Sequence, residues 1–269
     1  MSSFMDMLRS AWTTNRSLVC VGLDPDPTKM PDGVFLFDFN RAIVEATKDL
    51  VCAYKPQAAC YAGMEADDAL AATIGYIHEL APGIPVILDA KRADIGNTTK
   101  HYAREAFVRY GADAVTVNPY MGMDAIQPFL DCADKGVVVL CRTSNPGSKE
   151  VQELELAGGE KLYERIATLA STEWNYNGNV LLVAGATHPA ELGEIRKRVG
   201  NTPLLVPGIG AQGGDLEGVL KNGLTADGTG LVINSSRGII YASKGPDFAD
   251  AARAAALELR DSINAVRRV

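Results

Sequence analysis

Several things are scarce in this chain, and each shortage excludes something. Histidine occurs three times, at His78, His101 and His188, never in HxH or HExxH spacing, which argues against a histidine-based metal site. The five cysteines, Cys20, Cys52, Cys60, Cys132 and Cys141, form no CxxC pair, and an odd count leaves one unpaired in any disulfide scheme. Most of them sit inside apolar runs and read as reduced, buried thiols. No apolar run approaches the roughly 20 residues of a membrane span. The opening MSSFMDMLRSAW carries Asp6 and Arg9, where a signal peptide needs an unbroken apolar core. Positive charge is in deficit, with 26 basic against 33 acidic residues and a net charge of −7. Such a surface repels nucleic acid and anionic lipid at long range. The expectation is a soluble, cytoplasmic protein with neither nucleic acid nor membrane as partner. Any anionic substrate must then meet a local cluster of Lys or Arg.

What is present is a regular alternation. With 47% hydrophobic and 22% charged residues, a chain of 269 can bury a sizeable core. Short, nearly continuous apolar runs fall at 18–24, 52–57, 85–91, 114–119, 137–144, 179–185, 203–208 and 230–234, as expected of parallel strands covered on both faces. Helical patterns separate them at 37–50, 65–80, 98–110, 123–134, 160–174, 190–199, 215–221 and 248–266. Eight such units predict a closed (β/α)8 TIM barrel, with residues 1–269 as a single domain. An open, doubly wound sheet fits eight evenly spaced units less well. Before the first strand, Ser3-x-x-Asp6 reads as a capping box, and Phe4, Leu8 and Trp12 share one helical face. This short N-terminal helix is expected to cap one end of the barrel. Residues 145–159, with three glycines, form the longest interruption. Two readings stay open there, a mobile lid and a plain surface loop.

Chemistry in such a barrel belongs at the C-terminal ends of the strands. The third run ends Asp89-Ala-Lys91-Arg-Ala-Asp94. Asp89 and Lys91 are two apart and so face the same way. They follow Val86-Ile-Leu88, and charges at the end of a buried strand must be paired or used. A lone DxK reads more readily as a rim salt bridge than as a site. Lys55 and Asp24 at neighbouring strand ends turn the balance toward a site, and Asp94 adds a carboxylate from the following turn. Carboxylates would keep both lysines protonated, and a protonated lysine in a dry pocket can stabilise a carbanion and then protonate it. At the opposite side, the glycine-rich run 208–214 offers unobstructed backbone N–H groups. Ser236 and Arg237 add donors and a fixed positive charge suited to a phosphate.

These motifs resemble orotidine 5′-phosphate decarboxylase. Asp89-Ala-Lys91-Arg-Ala-Asp94-Ile95-Gly-Asn-Thr98 matches that family's DxKxxDIxxT signature. Gly22-Leu-Asp24-Pro25, Tyr54-Lys55-Pro56, Thr143-Ser144-Asn145-Pro146-Gly147, the run 207–214 and Ser235-Ser236-Arg237 follow in the family's order. The NPYMG run at 118–122 and the TSNPG run resemble its second bacterial subfamily (type 2). The resemblance implies cofactor-free and metal-free decarboxylation of orotidine 5′-monophosphate to UMP, in pyrimidine biosynthesis. Lys91 would protonate C6, and Asp89 would lie beside the leaving carboxylate. Lys55 would contact Asp89 and the ribose, and Asp24 the ribose hydroxyls. Ser144 would meet the pyrimidine; Gln212 and Arg237, with N–H groups near Ser236, would hold the phosphate. Asp94, Ile95 and Thr98 would reach into a partner subunit's site, which makes a homodimer the working unit. The rival enzyme reading is a Mg2+-dependent phosphosugar decarboxylase or aldolase of a sister barrel family; an ammonium at Lys55 would repel that metal. A catalytically dead nucleotide-binding protein would be expected to lack Lys91 or Asp89, and both are present. Asn118, Thr187 and His188 are given no role, beyond Pro189 opening a helix.

Overall fold

The computed structural model describes residues 2–209 and 214–267. Eight parallel strands form its centre: β1 Val19–Leu23, β2 Ala53–Pro56, β3 Ile87–Arg92, β4 Ala114–Val117, β5 Gly136–Arg142, β6 Val180–Ala184, β7 Leu204–Pro207 and β8 Leu231–Ser235. Their order is β2-β1-β8-β7-β6-β5-β4-β3. The remaining seam between β2 and β3 is joined by parallel bridges Tyr54–Val86 and Gln57–Asp89, which close the barrel. The strands are short because each apolar run meets a breaker at its end, as at Asn118-Pro119, Gly185 and Pro207-Gly208.

Helices cover the outside. In chain order they are α1 Phe4–Thr14, α2 Leu36–Thr47, α3 Ala58–Ala62, α4 Asp67–Leu80, α5 Gly96–Arg104, α6 Met123–Leu130, α7 Lys149–Gln152, α8 Leu162–Ser171, α9 Pro189–Val199, α10 Leu216–Gly223, α11 Arg237–Ile240 and α12 Phe248–Arg267. The reciprocal capping box of Ser3 and Asp6 opens α1, which buries Phe4, Leu8 and Trp12. Phe4 lies over Gly136 and Ala114, the first residues of β5 and β4, so α1 covers the N-terminal mouth of the barrel. A Cβ on Gly136 would stand 2.4 Å from the Phe4 ring, which explains the glycine. At the same end, Arg196 donates to the carbonyl oxygens of Gly223, Gly200, Thr202 and Gly230 at 2.6–2.9 Å, tying α9 and α10 to the starts of β7 and β8. The stabilising hardware therefore sits at one end, and the other is left for chemistry.

The structure departs from the sequence reading in four places. The helix expected from residue 65 begins at Asp67, because Glu65 adopts a left-handed φ of 54° after α3, a turn of helix not foreseen. The helix over 98–110 starts at Gly96 as α5 and widens into a π-turn over Glu105–Arg109, where Tyr110 N–H reaches the Glu105 carbonyl at 3.0 Å. Residues 145–159, left open between a lid and a plain loop, contain a 3-10 turn at Pro146–Ser148, then α7, and an antiparallel bridge from Glu155 to Lys161. Finally, α11 follows β8 directly, in the place where barrels of this kind often hold a phosphate.

Candidate active site

The site is organised by an irregularity in β3. Pairing with β4 shifts register between Leu88 and Arg92, and Lys91 takes a left-handed φ of 49°, which is rare for a residue with a Cβ. Thr116, on β4 and 1% exposed, holds this bulge. Its hydroxyl oxygen accepts the backbone N–H groups of Ala90 at 3.0 Å and Lys91 at 2.9 Å, and its proton goes to Asp89 Oδ1 at 2.9 Å.

Asp89 then accepts from two ammonium groups. Lys91 Nζ lies 2.6 Å from Oδ1, and Lys55 Nζ lies 2.9 Å from Oδ2. Lys55 is the buried partner, with a side chain 4% exposed, whereas that of Lys91 is 47% exposed and faces the pocket. Burial works against the charge on Lys55, but Asp89 and Asp24 outweigh it and hold its pKa above the ordinary lysine value. Burial likewise opposes the Asp89 carboxylate, and Lys55 and Lys91 reverse that, holding its pKa well below the usual carboxylate range. Lys55 and Asp89 are therefore each held in the charged form by their neighbours.

Asp24 stands 4.0 Å from Lys55 Nζ, too far for a hydrogen bond. Its Oδ1 is buried without a donor, and so is Oδ1 of Asn234, a residue of β8 that is 7% exposed. Both residues line a pocket of about 470 Å³ at the C-terminal ends of the strands. Orphaned acceptors in a pocket are suited to ligand hydroxyl or N–H groups. The floor on the far side is apolar, formed by Leu140, Val183 and Leu205.

Ser236 and Arg237, which follow β8, complete the wall. Asn234 Nδ2 reaches Ser236 Oγ at 3.3 Å, which leaves the serine proton to point elsewhere. Gly22 makes room for it: a Cβ there would stand 1.8 Å from Ser236 Oγ. Arg237 has no ion-pair partner among the described residues, a guanidinium open to an anion. Gly214 N–H closes on the Gly208 carbonyl at 3.1 Å, pinching the base of the glycine-rich loop. Gln212 lies outside the described residues.

Of the residues expected from sequence, Asp24, Lys55, Asp89, Lys91, Ser144, Ser236 and Arg237 meet in this one pocket. Asp94 does not join them within the chain. Its carboxylate turns to the N–H of Ile95 at 2.7 Å, and its carbonyl receives the Thr99 hydroxyl, which commits the turn to starting α5. Ile95 and Thr98 also lie outside the pocket and are exposed, Ile95 at 61%. Asn118, without an assigned role, caps the 3-10 turn after β4 by accepting from Tyr120 N–H at 3.0 Å. Thr116, Asn234 and Gln152 are pocket residues that sequence reasoning gave no role. The signal available was position: Thr116 and Asn234 are polar residues within apolar strands, one or two from a strand end.

The pocket thus combines a lysine–aspartate–lysine chain with a guanidinium open to an anion. A family model described as orotidine 5′-phosphate decarboxylase / HUMPS family matches residues 17–254. The chain belongs to this family. Among its relatives, the orotidine 5′-phosphate decarboxylase of Dechloromonas aromatica (strain RCB) is 60% identical over 270 residues, covering 98% of this chain and all of the relative. That of Azoarcus sp. (strain BH72) is 59% identical over 269 residues, covering 98% and 99%. Of solved family structures, Leishmania donovani OMP decarboxylase superposes with a TM-score of 0.86 at 42% identity, over 99% of both chains. Among the described residues, no helix is long and apolar enough to cross a membrane.

Proposed function

We propose that the pocket decarboxylates orotidine 5′-monophosphate, releasing UMP and CO2, with Lys91 as the acid. The observation that carries this reading is the Lys55–Asp89–Lys91 chain lining one pocket with Arg237, which has no ion-pair partner among the described residues. Identity of up to 60% with relatives named for this activity supports it throughout the chain's length.

The chemistry follows from charge. Cleavage of the bond between C6 and the carboxyl carbon leaves its electron pair on C6, and CO2 departs. The Lys91 ammonium, preorganised beside Asp89, stabilises that pair and then donates its proton to C6. The neutral amine regains a proton from water. Asp89 lies beside the substrate carboxylate and accepts from both lysine ammonium groups. Lys55 and Asp24 face the ribose, and the orphaned Asp24 oxygen fits a ribose hydroxyl. Ser144 meets the pyrimidine. Ser236 and Arg237 bind the phosphate, together with Gln212. Phosphate binding remote from C6 serves catalysis by organising the site around the substrate.

The working unit in this reading is a homodimer, with Asp94, Ile95 and Thr98 of each protomer completing its partner's site. Their absence from their own pocket and the exposure of Ile95 and Thr98 support that assignment. The NPYMG and TSNPG runs support the second bacterial subfamily, and the enzyme is assigned to the cytoplasm. The Mg2+-dependent phosphosugar alternative is not favoured: the buried group on β2 is a protonated lysine, not a carboxylate.

The deciding experiment follows the loss of orotidine 5′-monophosphate absorbance in excess EDTA, beside Lys91→Ala. Turnover by the wild type that vanishes in the variant is the expected result. A folded wild type without turnover defeats the proposal and directs attention to phosphosugars with added Mg2+.

A further inference from the structure

We infer that Arg142 is a positioning residue for the nucleotide site, acting through Gln152 on the backbone of Thr143; this rests on the decarboxylase reading above. Arg142 is the last residue of β5 and heads the fully buried side chains by size, at 1% exposed. Its guanidinium donates to Glu153 Oε1 and Ser148 Oγ, each at 2.5 Å, to the Thr143 carbonyl at 3.3 Å and to Gln152 Oε1 at 3.4 Å. All four partners fall between Thr143 and Glu153. All of these acceptors lie on the segment that leaves β5, turns through α7 and returns; the Nε group has no hydrogen-bond partner among the described residues, and the guanidinium lies 6.0 Å from the Tyr163 ring centroid.

That segment is a wall of the pocket, contributing Thr143, Ser144, Asn145 and Gln152. Gln152 comes back from the end of α7 to grip the residue next to Arg142. Its Oε1 accepts the Thr143 N–H at 2.9 Å, and its Nε2 donates to Thr143 Oγ1 at 2.9 Å. Thr143 Oγ1 in turn donates to Asn145 Oδ1 at 2.6 Å. On the other side, Gly185 lets the wall seat closely: a Cβ there would lie 2.9 Å from Ser144 N and 3.1 Å from its Cα. Residues 143–145 are therefore clamped between Gly185 and the Gln152 carboxamide, with Arg142 fixing the carboxamide from outside.

An apolar side chain would fill the same space without the desolvation of a guanidinium, and such replacements are often neutral or stabilising. A planar fork of donors does what an apolar plug does not: it sets the direction of several acceptors at once. The nucleotide then meets a wall whose polar groups are already aimed, so less ordering remains to be done on binding.

The test compares wild type, Gln152→Ala and the double variant Arg142→Met/Glu153→Leu, which removes the buried guanidinium together with its partly exposed carboxylate partner. The readouts are UMP dissociation constant, KM, kcat and thermal midpoint. The expected result is a UMP dissociation constant and KM raised tenfold or more in both variants, with thermal midpoints close to wild type. Arg142→Lys, which keeps the charge and loses the fork, is expected to recover only part of that loss. UMP affinity within twofold of wild type in Gln152→Ala overturns the inference whatever the double variant does, and so does a lowered thermal midpoint with unchanged affinity. Wild type that binds no UMP defeats the decarboxylase reading instead, so the two failures are distinguishable.

Discussion

Thr116 Oγ1 accepts the backbone N–H of Lys91 at 2.9 Å, so a hydroxyl on one strand sets the backbone that carries the ammonium on the next. The same group binds Ala90 N–H and Asp89 Oδ1. Thr116→Val keeps the shape and loses all three contacts. Buried hydrogen bonds of this kind contribute about 1–3 kcal/mol when a partner is stranded, which corresponds to a kcat roughly 10- to 100-fold lower. Thr116→Ser is expected to retain most of the activity. Steady-state kinetics decide it, and a Thr116→Val enzyme at full kcat shows that the bulge holds itself.

Asp89→Asn leaves the Lys55 ammonium buried without its 2.9 Å partner. Removing one member of a buried pair costs about 3–5 kcal/mol, so the variant melts lower as well as losing activity. The pH dependence has a definite sign. Asp89 has a depressed pKa, so its contribution is present above the unfolded value of about 3.9 and is lost as pH falls toward the folded one. Lys55 has a raised pKa, so its contribution is complete below about 10.4 and fades as pH rises through the folded value. The gap in melting temperature between wild type and variant is therefore widest in the neutral range and narrows in acid. A gap unchanged down to strongly acidic pH contradicts the pairing.

Gly22→Ala places a methyl carbon where Ser236 Oγ now sits. The serine must rotate or β8 must move, and Arg237 follows it in sequence. The expected outcome is a raised KM, with a change in stability of about 1–3 kcal/mol from overpacking. Inorganic phosphate should also inhibit the variant more weakly. Unaltered KM and phosphate inhibition would falsify the placement of Ser236 in the anion seat.

Thiol labelling gives a check independent of activity. Burial pushes the Cys20 thiol up to about 12 and raises those of Cys52 and Cys141. Cys60 and Cys132 are only half-buried. The native protein should expose at most two thiols to an aromatic disulfide reagent at mildly alkaline pH, against five in denaturant. Rapid labelling of three or more contradicts this packing.

Arg196→Met strands the carbonyl oxygens of Gly223, Gly200, Thr202 and Gly230 at the end of the barrel away from the pocket. Loss of several part-buried hydrogen bonds to a charged donor should lower the melting temperature, by about 1–3 kcal/mol of stability. kcat and KM at 25 °C should hold. A variant with normal melting and impaired kcat reverses the division of labour between the two ends.

Much of this architecture is legible in residue order. Eight apolar runs ending in breakers are enough for the barrel, and the Ser3–Asp6 box is enough for the start of α1. Asp89 and Lys91 could be placed together because side chains two apart share a face. The destination is right, but the route differs: the strand is bulged and Lys91 left-handed, held there by Thr116. Only its position marks that threonine, a lone polar residue in the apolar Ala-Val-Thr-Val run, one place from the strand end. Arg142 and Gln152 are opaque for a different reason. Their partnership exists only once residues 145–152 fold back on β5. Asp94, three residues past Lys91, looks local to the site, yet within its own chain its carboxylate accepts the Ile95 N–H at the start of α5.

The left-handed lysine sets a trap for anyone improving this protein. A conformation of that kind costs about 1–3 kcal/mol in a residue with a Cβ, and glycine or asparagine relieves it. A screen ranking substitutions by backbone comfort alone would exchange position 91 early and score the exchange as a repair. Thermal robustness and turnover make opposite demands on one torsion angle here. Any engineering of this barrel should freeze that angle before optimising the rest.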